Sequence, residues 1–423
     1  MSVRERFSSP ASLLWAIGSF VGLAPGLGAQ PLADTGVANQ GVVSEIDSLV
    51  RAQFYRKDDL VRLGWPAAVE GARTHYARAR DEQERADDLN DLLSRLGASH
   101  TGYFSRSDPA YWQLASIFEP VIAHDCAASS LPPLPVTVED IEVFWKHLDA
   151  RWFVGGVYSH GPAEAGGLRV GDEILQSDDE AFSPVKSFLG KAGEEVTLSV
   201  RRLRDQAPIA IKVVPQALKP HDALLQATSG SWRIVDHENQ HYAYLRIWSW
   251  TSTAIQPAVL QAITKSNQAG VDGFILDLRD GWGGASPSYL SIFDQAIPVL
   301  EAVEASGKSQ TYDAQIRKPT VMLINGGTRS GKEIVAYGAK THHRALLVGE
   351  RTAGAVAFGE PFCLTDGALL YLAVTDALVD GKHLEGVGVA PDQEVRFDPR
   401  YANGADPQLD EAIRALAKHR KRR

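Results

Sequence analysis

Between Trp232 and Asp398 short apolar runs alternate with stretches of helical period, and this alternation constrains the fold more than any other feature of the chain. Residues 242–247, 274–278, 320–325 and 345–349 read as strands. Residues 254–268 and 287–300 carry helical patterns between them. Such an order predicts an α/β core over 232–398. With 423 residues the chain is too long for that core alone, and two or three domains are expected.

The rest of the chain follows other periods. Over 43–118 apolar residues recur at helical spacing: Ile46, Val50 and Phe54 form one stripe, and Leu89, Leu92, Leu93 and Leu96 a second. Gly97 is a natural stop for the latter. A proline-rich joint at 129–135 marks a boundary. Over 136–216 short strands take over, at 153–158 and in the alternating run 196–202. Residues 399–423 predict a C-terminal helix and a solvated basic tail beginning at Lys418. At the other end, Arg4 and Arg6 precede an apolar run from Ala11 to Leu23, followed by small residues up to Ala29. This pattern over 1–29 predicts a removable signal peptide. The run is too short to span a bilayer comfortably, which takes about 20 residues. An exported protein, periplasmic or extracellular, is expected, with no stable membrane span once the leader is gone. In an oxidising compartment Cys126 and Cys363 are free to pair.

Composition removes several function classes. Hydrophobic residues at 44% and charged residues at 22% are globular values, excluding disordered and fibrous chains. Fifty-two acids against 43 bases give a net charge of −9, which argues against nucleic acid as a partner. Two cysteines exclude a four-cysteine zinc site.

Two motifs point to chemistry that their surroundings oppose. His237-Glu238-Asn239-Gln240-His241 matches the zinc-protease pattern, which needs a helix to bring both histidines to one face. Strand-like residues flank it, so a β-hairpin is expected and no metal. Gly326-Gly327-Thr328-Arg329-Ser330-Gly331-Lys332 matches a phosphate-binding loop, but Glu333 stands where Ser or Thr should hold magnesium and would repel phosphates. No nucleotide or other cofactor is expected.

Ser330 has a better reading, between a strand ending at Asn325 and a helix through Glu333, Ile334 and Val335. Exposed N–H groups and the positive helix end favour an alkoxide-like nucleophile and an oxyanion there. Three further segments complete an ordered set: Asp277-Leu278-Arg279-Asp280-Gly281-Trp282-Gly283-Gly284, then 348–355 (VGERTAGA), then 386–392 (GVGVAPD). Together they resemble the C-terminal processing and tricorn-type serine peptidases. Within 136–216, Gly161, Pro162, Ala163, Gly167, Leu168, Gly171 and Asp172 resemble a PDZ domain, a module that adds a peptide strand to a sheet edge.

The resemblance implies an α/β core of the ClpP/crotonase-like type, a helical N-terminal region and an inserted PDZ-like β-domain. Ala355 occupies the position of the base in the Ser-Lys branch, and alanine cannot take a proton. Lys332 lies two residues from Ser330 on the same helix and so points elsewhere. The tricorn-type branch uses a Ser-His pair, which Ser99 and His100 match, with Glu385 at the supporting acid position. That branch implies Ser330 as nucleophile, His100 as base, and Ser99 and Glu385 as its support. Gly331, Gly283 and Gly284 would supply oxyanion-hole N–H groups. The expected activity is a serine endopeptidase acting on a protein or peptide, whose C-terminus the PDZ-like domain would capture. The rival is a non-catalytic protein of the same fold, binding a peptide or hydrophobic ligand.

Overall fold

The computed structural model describes residues 41–126 and 134–421, the last two by backbone alone. The leader expected over 1–29 and most of the joint at 129–135 lie outside the described residues.

Three helices open the described chain: α1 (Val42–Gln53), α2 (Trp65–Tyr76) and α3 (Glu82–Ser94). The anticipated stripes point inward: Ile46, Val50, Phe54, Leu89, Leu92, Leu93 and Leu96 are all buried. Asp81 caps α3 by accepting the Glu84 N–H, which satisfies one orphan donor of the first turn. Gly97 is left-handed (φ 55°) and turns the chain towards a short strand, β1 (Gly102–Phe104). Helices α4 (Pro109–Ile117) and α5 (Glu119–Asp125) follow.

The next region is built of strands: β2 (Val138–Asp140), β3 (Val143–Leu148), β4 (Arg151–Val157), β5 (Glu173–Ser177), β6 (Glu180–Ala181), β7 (Val196–Arg201), β8 (Ile209–Val213) and β9 (Gln216–Leu218). Five run antiparallel in the order β3-β4-β5-β7-β8, with β6 paired to β5. β3 is an edge of this sheet. Alternate residues of β7, namely Val196, Leu198 and Val200, enter a core with Val154, Leu168 and Phe188. A short helix, α6 (Pro162–Ala165), sits between β4 and β5. Pairing of β2 with β9 brings the two ends of the region together.

Helix α7 (Pro220–Gly230) leads into the core sheet. Its first strands, β10 (Arg233–His237) and β11 (Gln240–Arg246), form the hairpin expected at the false zinc motif. Glu238 takes φ 52° at the turn, and no group of three metal-ligating side chains occurs among the described residues. After α8 (Ile255–Gln268) comes β12 (Gly273–Asp277), fully buried along its length. Such continuous burial is what a central parallel strand requires.

The helix expected over 287–300 is corrected by the structure. Only a 3-10 segment, Pro287–Phe293, forms. Pro298 restricts the residue before it to extended backbone, and the chain continues into an exposed hairpin, β13 (Leu300–Val303) and β14 (Ser309–Tyr312). Then follow β15 (Thr320–Ile324), α9 (Gly331–Thr341) and β16 (Leu346–Gly349). Next are β17 (Phe358–Cys363), β18 (Leu369–Thr375), the small hairpin β19 (Leu378–Val379) and β20 (Lys382–His383), and β21 (Gln393–Glu394).

The core sheet has the order β10-β11-β12-β15-β16-β21, parallel from β11 onward. Alternate residues of its strands face opposite layers. Leu245, Leu276, Met322 and Ile324 meet α8 and α9 on one side. Tyr244, Ile275, Val321 and Leu323 meet the final helix, α10 (Pro407–Lys421), on the other. Ala412, Ala415 and Leu416 dock α10 on the sheet; the helix continues to Lys421, and Lys418 and His419 near its end are exposed.

β17 and β18 belong to a separate three-stranded sheet, β1-β18-β17. Leu370 and Leu372 of β18 pack into the same core as α1, α2 and α3. The helical region therefore closes over strands from the far end of the chain. Cys126 and Cys363 form a disulfide that joins the end of α5 to β17. Among the described residues no helix is long and apolar enough to cross a membrane.

Candidate active site

Parallel α/β sheets gather functional groups beyond the carboxyl ends of their strands, and the segments after β12, β15 and β16 meet there. The loop after β12 is anchored at its root. Arg279 makes paired bonds to Asp277 (2.9 and 2.6 Å) and to Asp406 (2.8 and 2.7 Å). Tyr244 donates to Asp277 at 2.7 Å. Burial alone would raise the Asp277 pKa, but Arg279 and Arg246 outweigh it and hold the carboxyl well below its usual range.

The turn after β15 is bound to this loop. Thr328 Oγ1 donates to the Leu278 carbonyl at 3.0 Å and accepts the Asn325 N–H at 3.0 Å. Asn325 Oδ1 accepts the Asp280 N–H at 3.1 Å, and its Nδ2 donates to Asp280 Oδ1 at 3.1 Å. Ser330 follows at the N-cap of α9 with φ 56° and ψ −133°. This is strained backbone for a non-glycine residue, of the kind that clusters at functional sites. Its N–H donates to the Ala355 carbonyl at 2.7 Å.

Glu333, which spoils the phosphate-loop motif, has a structural use. It is buried and accepts from Thr352 Oγ1 (2.5 Å), Gly354 N (2.8 Å) and Ala355 N (2.6 Å). It thereby fixes the segment that receives the Ser330 N–H. Burial raises its pKa despite these bonds.

Of the three glycines expected near Ser330, Gly283 packs on it and Gly331 follows it in the chain, while Gly284 packs on Thr251. A Cβ on Gly283 would lie 2.3 Å from Ser330 Cβ and 2.9 Å from its Oγ, so only glycine fits there. A Cβ on Gly331 would lie 2.2 Å from the Ala285 carbonyl oxygen. Among the described residues, the N–H groups of Gly283, Gly284 and Gly331 reach no protein acceptor.

Ser99 and His100 lie just beyond α3, before β1. Glu385, 286 residues after Ser99, accepts the Ser99 N–H at 2.7 Å and its hydroxyl at 2.9 Å. Ser99 Oγ is 2.9 Å from His100 Nδ1. The protonation pattern follows by elimination. A carboxylate only accepts, so the single Ser99 hydroxyl proton goes to Glu385. His100 must then donate from Nδ1, which leaves Nε2 with a free lone pair, the form of a general base.

Glu385 also accepts the Val356 and Ala357 N–H groups at 2.8 and 2.9 Å. Burial acts to raise its pKa, but the bonds from Ser99, Ala357 and Val356 prevail and lower it. Burial pushes His100 down to about 4, helped by the Arg329 guanidinium and opposed by Glu385. The imidazole is therefore neutral at pH 7.

A continuous path links the two groups. Ser330 N–H meets Ala355, the next two residues meet Glu385, and Glu385 meets Ser99 and His100. Ser330 Oγ and His100 make no direct hydrogen bond in this structure; such bonds are often long before substrate binds.

Several neighbours escaped the sequence reading. Tyr371 places its ring centroid 5.6 Å from that of His100. Gly359 leaves room for both, since a Cβ there would lie 2.8 Å from His100 Cβ. Arg329 carries a lowered pKa through burial. Lys146 of β3 pairs with Asp280 at 3.1 Å, and Phe144 and Tyr158 place their rings 6.1 and 4.6 Å from Trp248. The β-region thus touches the segments that frame the site. No local pattern marks these contacts, because each joins elements distant in sequence.

Residues 241–395 match the model of Peptidase family S41. A carboxy-terminal-processing protease of Bartonella bacilliformis is 28% identical over 276 residues, covering 59% of this chain and 60% of the relative. A carboxyl-terminal-processing protease of Synechocystis sp. is 27% identical over 251 residues, covering 55% of this chain and 56% of the relative. The chain thus spans less than two thirds of the length of these two relatives. A solved Bacteroides fragilis chain assigned to the S41 proteases has a TM-score of 0.52 at 16% identity, over 88% of this chain and 97% of its own. The mixed α/β fold is accordingly that of S41 protease structures.

Proposed function

We propose that the protein is a serine endopeptidase in which Ser330 attacks a peptide carbonyl and His100 takes its proton. The observation that carries this reading is the chain Glu385–Ser99–His100, assembled from opposite ends of the sequence beside a strained serine. Ser99 hands the carboxylate's influence to the imidazole, as an orienting acid does in a triad. His100 Nε2 then accepts the Ser330 hydroxyl proton as Ser330 Oγ bonds to the substrate carbonyl carbon. The unengaged N–H groups of Gly331, Gly283 and Gly284 receive the oxyanion. His100 returns the proton to the leaving amine, and water releases the acyl group by the reverse sequence. With Ala355 where the Ser-Lys branch has its base, the Ser-His branch is the better fit. Lys332 is spent on backbone carbonyls, which also supports this choice.

The partition that best suits this chemistry is a leader at 1–29, a helical region at 43–118, a PDZ domain at 136–216, a peptidase core at 232–398 and a closing segment at 399–423. The edge strand β3 would pair with a substrate tail by strand addition. Export suits the disulfide, which persists in oxidising compartments.

The test is labelling of the full chain by a fluorophosphonate, followed by peptide mapping. Ser330 should carry the label, and Ser330→Ala should abolish both labelling and cleavage of unfolded casein. A folded wild-type protein that neither labels nor cleaves would instead favour a non-catalytic binder.

A further inference from the structure

Lys332 lies two residues beyond Ser330 and is completely buried, yet it takes no part in the relay. Its Nζ donates to the carbonyls of Ile247 (3.3 Å) and Trp248 (3.5 Å), and to that of Asp280. An ammonium has three donors and no acceptor, and three carbonyls match that number.

The acceptors come from two segments. Ile247 and Trp248 continue from β11, whereas Asp280 begins the glycine loop after β12. Two backbone bonds join the same segments, Trp282 N–H to Trp248 O at 2.8 Å and Trp250 N–H to Gly283 O at 2.7 Å. Gly283 in turn packs directly on Ser330. The glycine loop is therefore held between the 247–250 segment and the nucleophile turn, with the ammonium at their junction. A planar peptide carries its C=O and N–H on opposite sides. Fixing carbonyls inward thus decides which way neighbouring N–H groups face. An apolar side chain would fill this space without the cost of burying a charge.

We propose that Lys332 is a positioning residue of the peptidase site, fixing the Gly283-Gly284 loop from the nucleophile's own helix so that its N–H groups face the oxyanion. This rests on the reading of Ser330 as nucleophile. Facing the ammonium are Asp277 at the end of β12, Asp280 after it, Arg246 of β11 and Arg329 of the nucleophile turn; Lys146 of β3 also pairs with Asp280. Burial is the largest influence on Lys332 and pushes its pKa down to about 7. Above neutrality the ammonium loses its charge and one donor, and turnover falls. Stability has the opposite sign. Between about 7 and the ordinary lysine value of 10.5, the unfolded chain holds more protons than the folded one, so this group's contribution to stability rises with pH. A turnover loss without a stability loss separates positioning from packing.

The experiment measures casein cleavage and fluorophosphonate labelling of the full chain for wild type, Lys332→Met and Lys332→Gln. Lys332→Met should lower kcat by about 10²-fold, the lower end of the loss from removing an oxyanion donor outright, with KM changed less than about twofold and labelling slowed in parallel. Lys332→Gln, which keeps a donor, should recover part of the loss. Both should remove the alkaline fall expected of wild type. Wild-type kcat and labelling in Lys332→Met, or a loss confined to KM, would overturn the proposal. Should Lys332→Met not fold, Lys332→Gln decides by the same alkaline limb: one unchanged from wild type overturns it. Labelling that persists in Ser330→Ala would overturn the nucleophile assignment, and this proposal with it.

Discussion

The turn that carries Ser330 and the arm that carries His100 are held in different ways. Buried bonds surround the first: Thr328 to Leu278, Asn325 to Asp280, Glu333 to the 352–355 segment, and Ser330 N–H to Ala355. Its neighbours are the central strands of a parallel sheet. The second leaves a helix at Gly97 and reaches β1, only three residues long, which pairs with β18. Glu385 anchors it at Ser99, with Arg56 on the Leu96 and Gly97 carbonyls and Asn90 on the Tyr103 backbone. The proposed nucleophile is thus held by the core, while the proposed base comes from a layer that packs over it. If Ser330 and His100 act as proposed, one partner belongs to the core sheet and the other to the layer above it.

Removing either partner should have the largest effect and break the comparison down to its parts. Ser330→Ala and His100→Ala should each lower kcat/KM on casein by about 10³-fold or more, with circular dichroism unchanged. If His100→Ala cleaves normally, the arm is structural and the base lies elsewhere. Glu385→Gln comes next. An amide offers N–H groups to the donors that Glu385 now receives, and it frees Ser99 to reverse its proton. The imidazole then loses the tautomer that catalysis needs, and kcat should fall by about 10²- to 10⁴-fold.

Acid tolerance sharpens the electrostatic side. With His100 pushed down to about 4, the acid limb of kcat/KM should lie near pH 4, far below the 6.5 of an ordinary imidazole. The same shift predicts that His100's contribution to stability is complete above about 6.5 and is lost as pH falls towards 4. Arg329→Gln should move the limb upward, because a cation that opposes protonation is gone. A limb at 6.5 in wild type would place the working histidine in water.

The disulfide tests the arm alone. Cys126→Ser with Cys363→Ser should cost roughly 2–4 kcal/mol of stability. Amide exchange should rise around 99–104 and 358–363 while 325–335 stays protected. The smallest effect concerns strain. Ser330→Gly should lose activity and gain about 1 kcal/mol of stability, read as a higher melting temperature, because glycine tolerates positive φ.

Much of the core was legible in sequence. The four strands from 242 to 349 are mostly apolar runs, with Arg246 and Asp277 the charged exceptions near their carboxyl ends, and burial on both faces demands that pattern. Ser330 and the Gly283-Gly284 pair stood out through ordered motifs, and the false zinc motif gave itself away by its strand-like flanks. Other parts were hidden for physical reasons. Glu333 and Lys332 look like solvated helix residues, and only the tertiary structure supplies Thr352, Gly354 and the carbonyls they meet. Tyr371, Gly359 and Arg329 reach His100 from elements hundreds of residues away or from another layer. Over 287–300 the apolar spacing imitates a helix that Pro298 does not allow. Two cysteines 237 residues apart carry no local sign that they pair.

The bond between Ser99 and Glu385 closes a span of 286 residues. As the chain is synthesised, His100 emerges early, Ser330 much later, and Glu385 later still. A partly made or clipped chain ending before Glu385 has a nucleophile and an imidazole but no anion to hold the imidazole's tautomer. In the proposed mechanism the relay is complete only once Glu385 has been made and has met Ser99, so a chain that stops short of it should not cleave its neighbours.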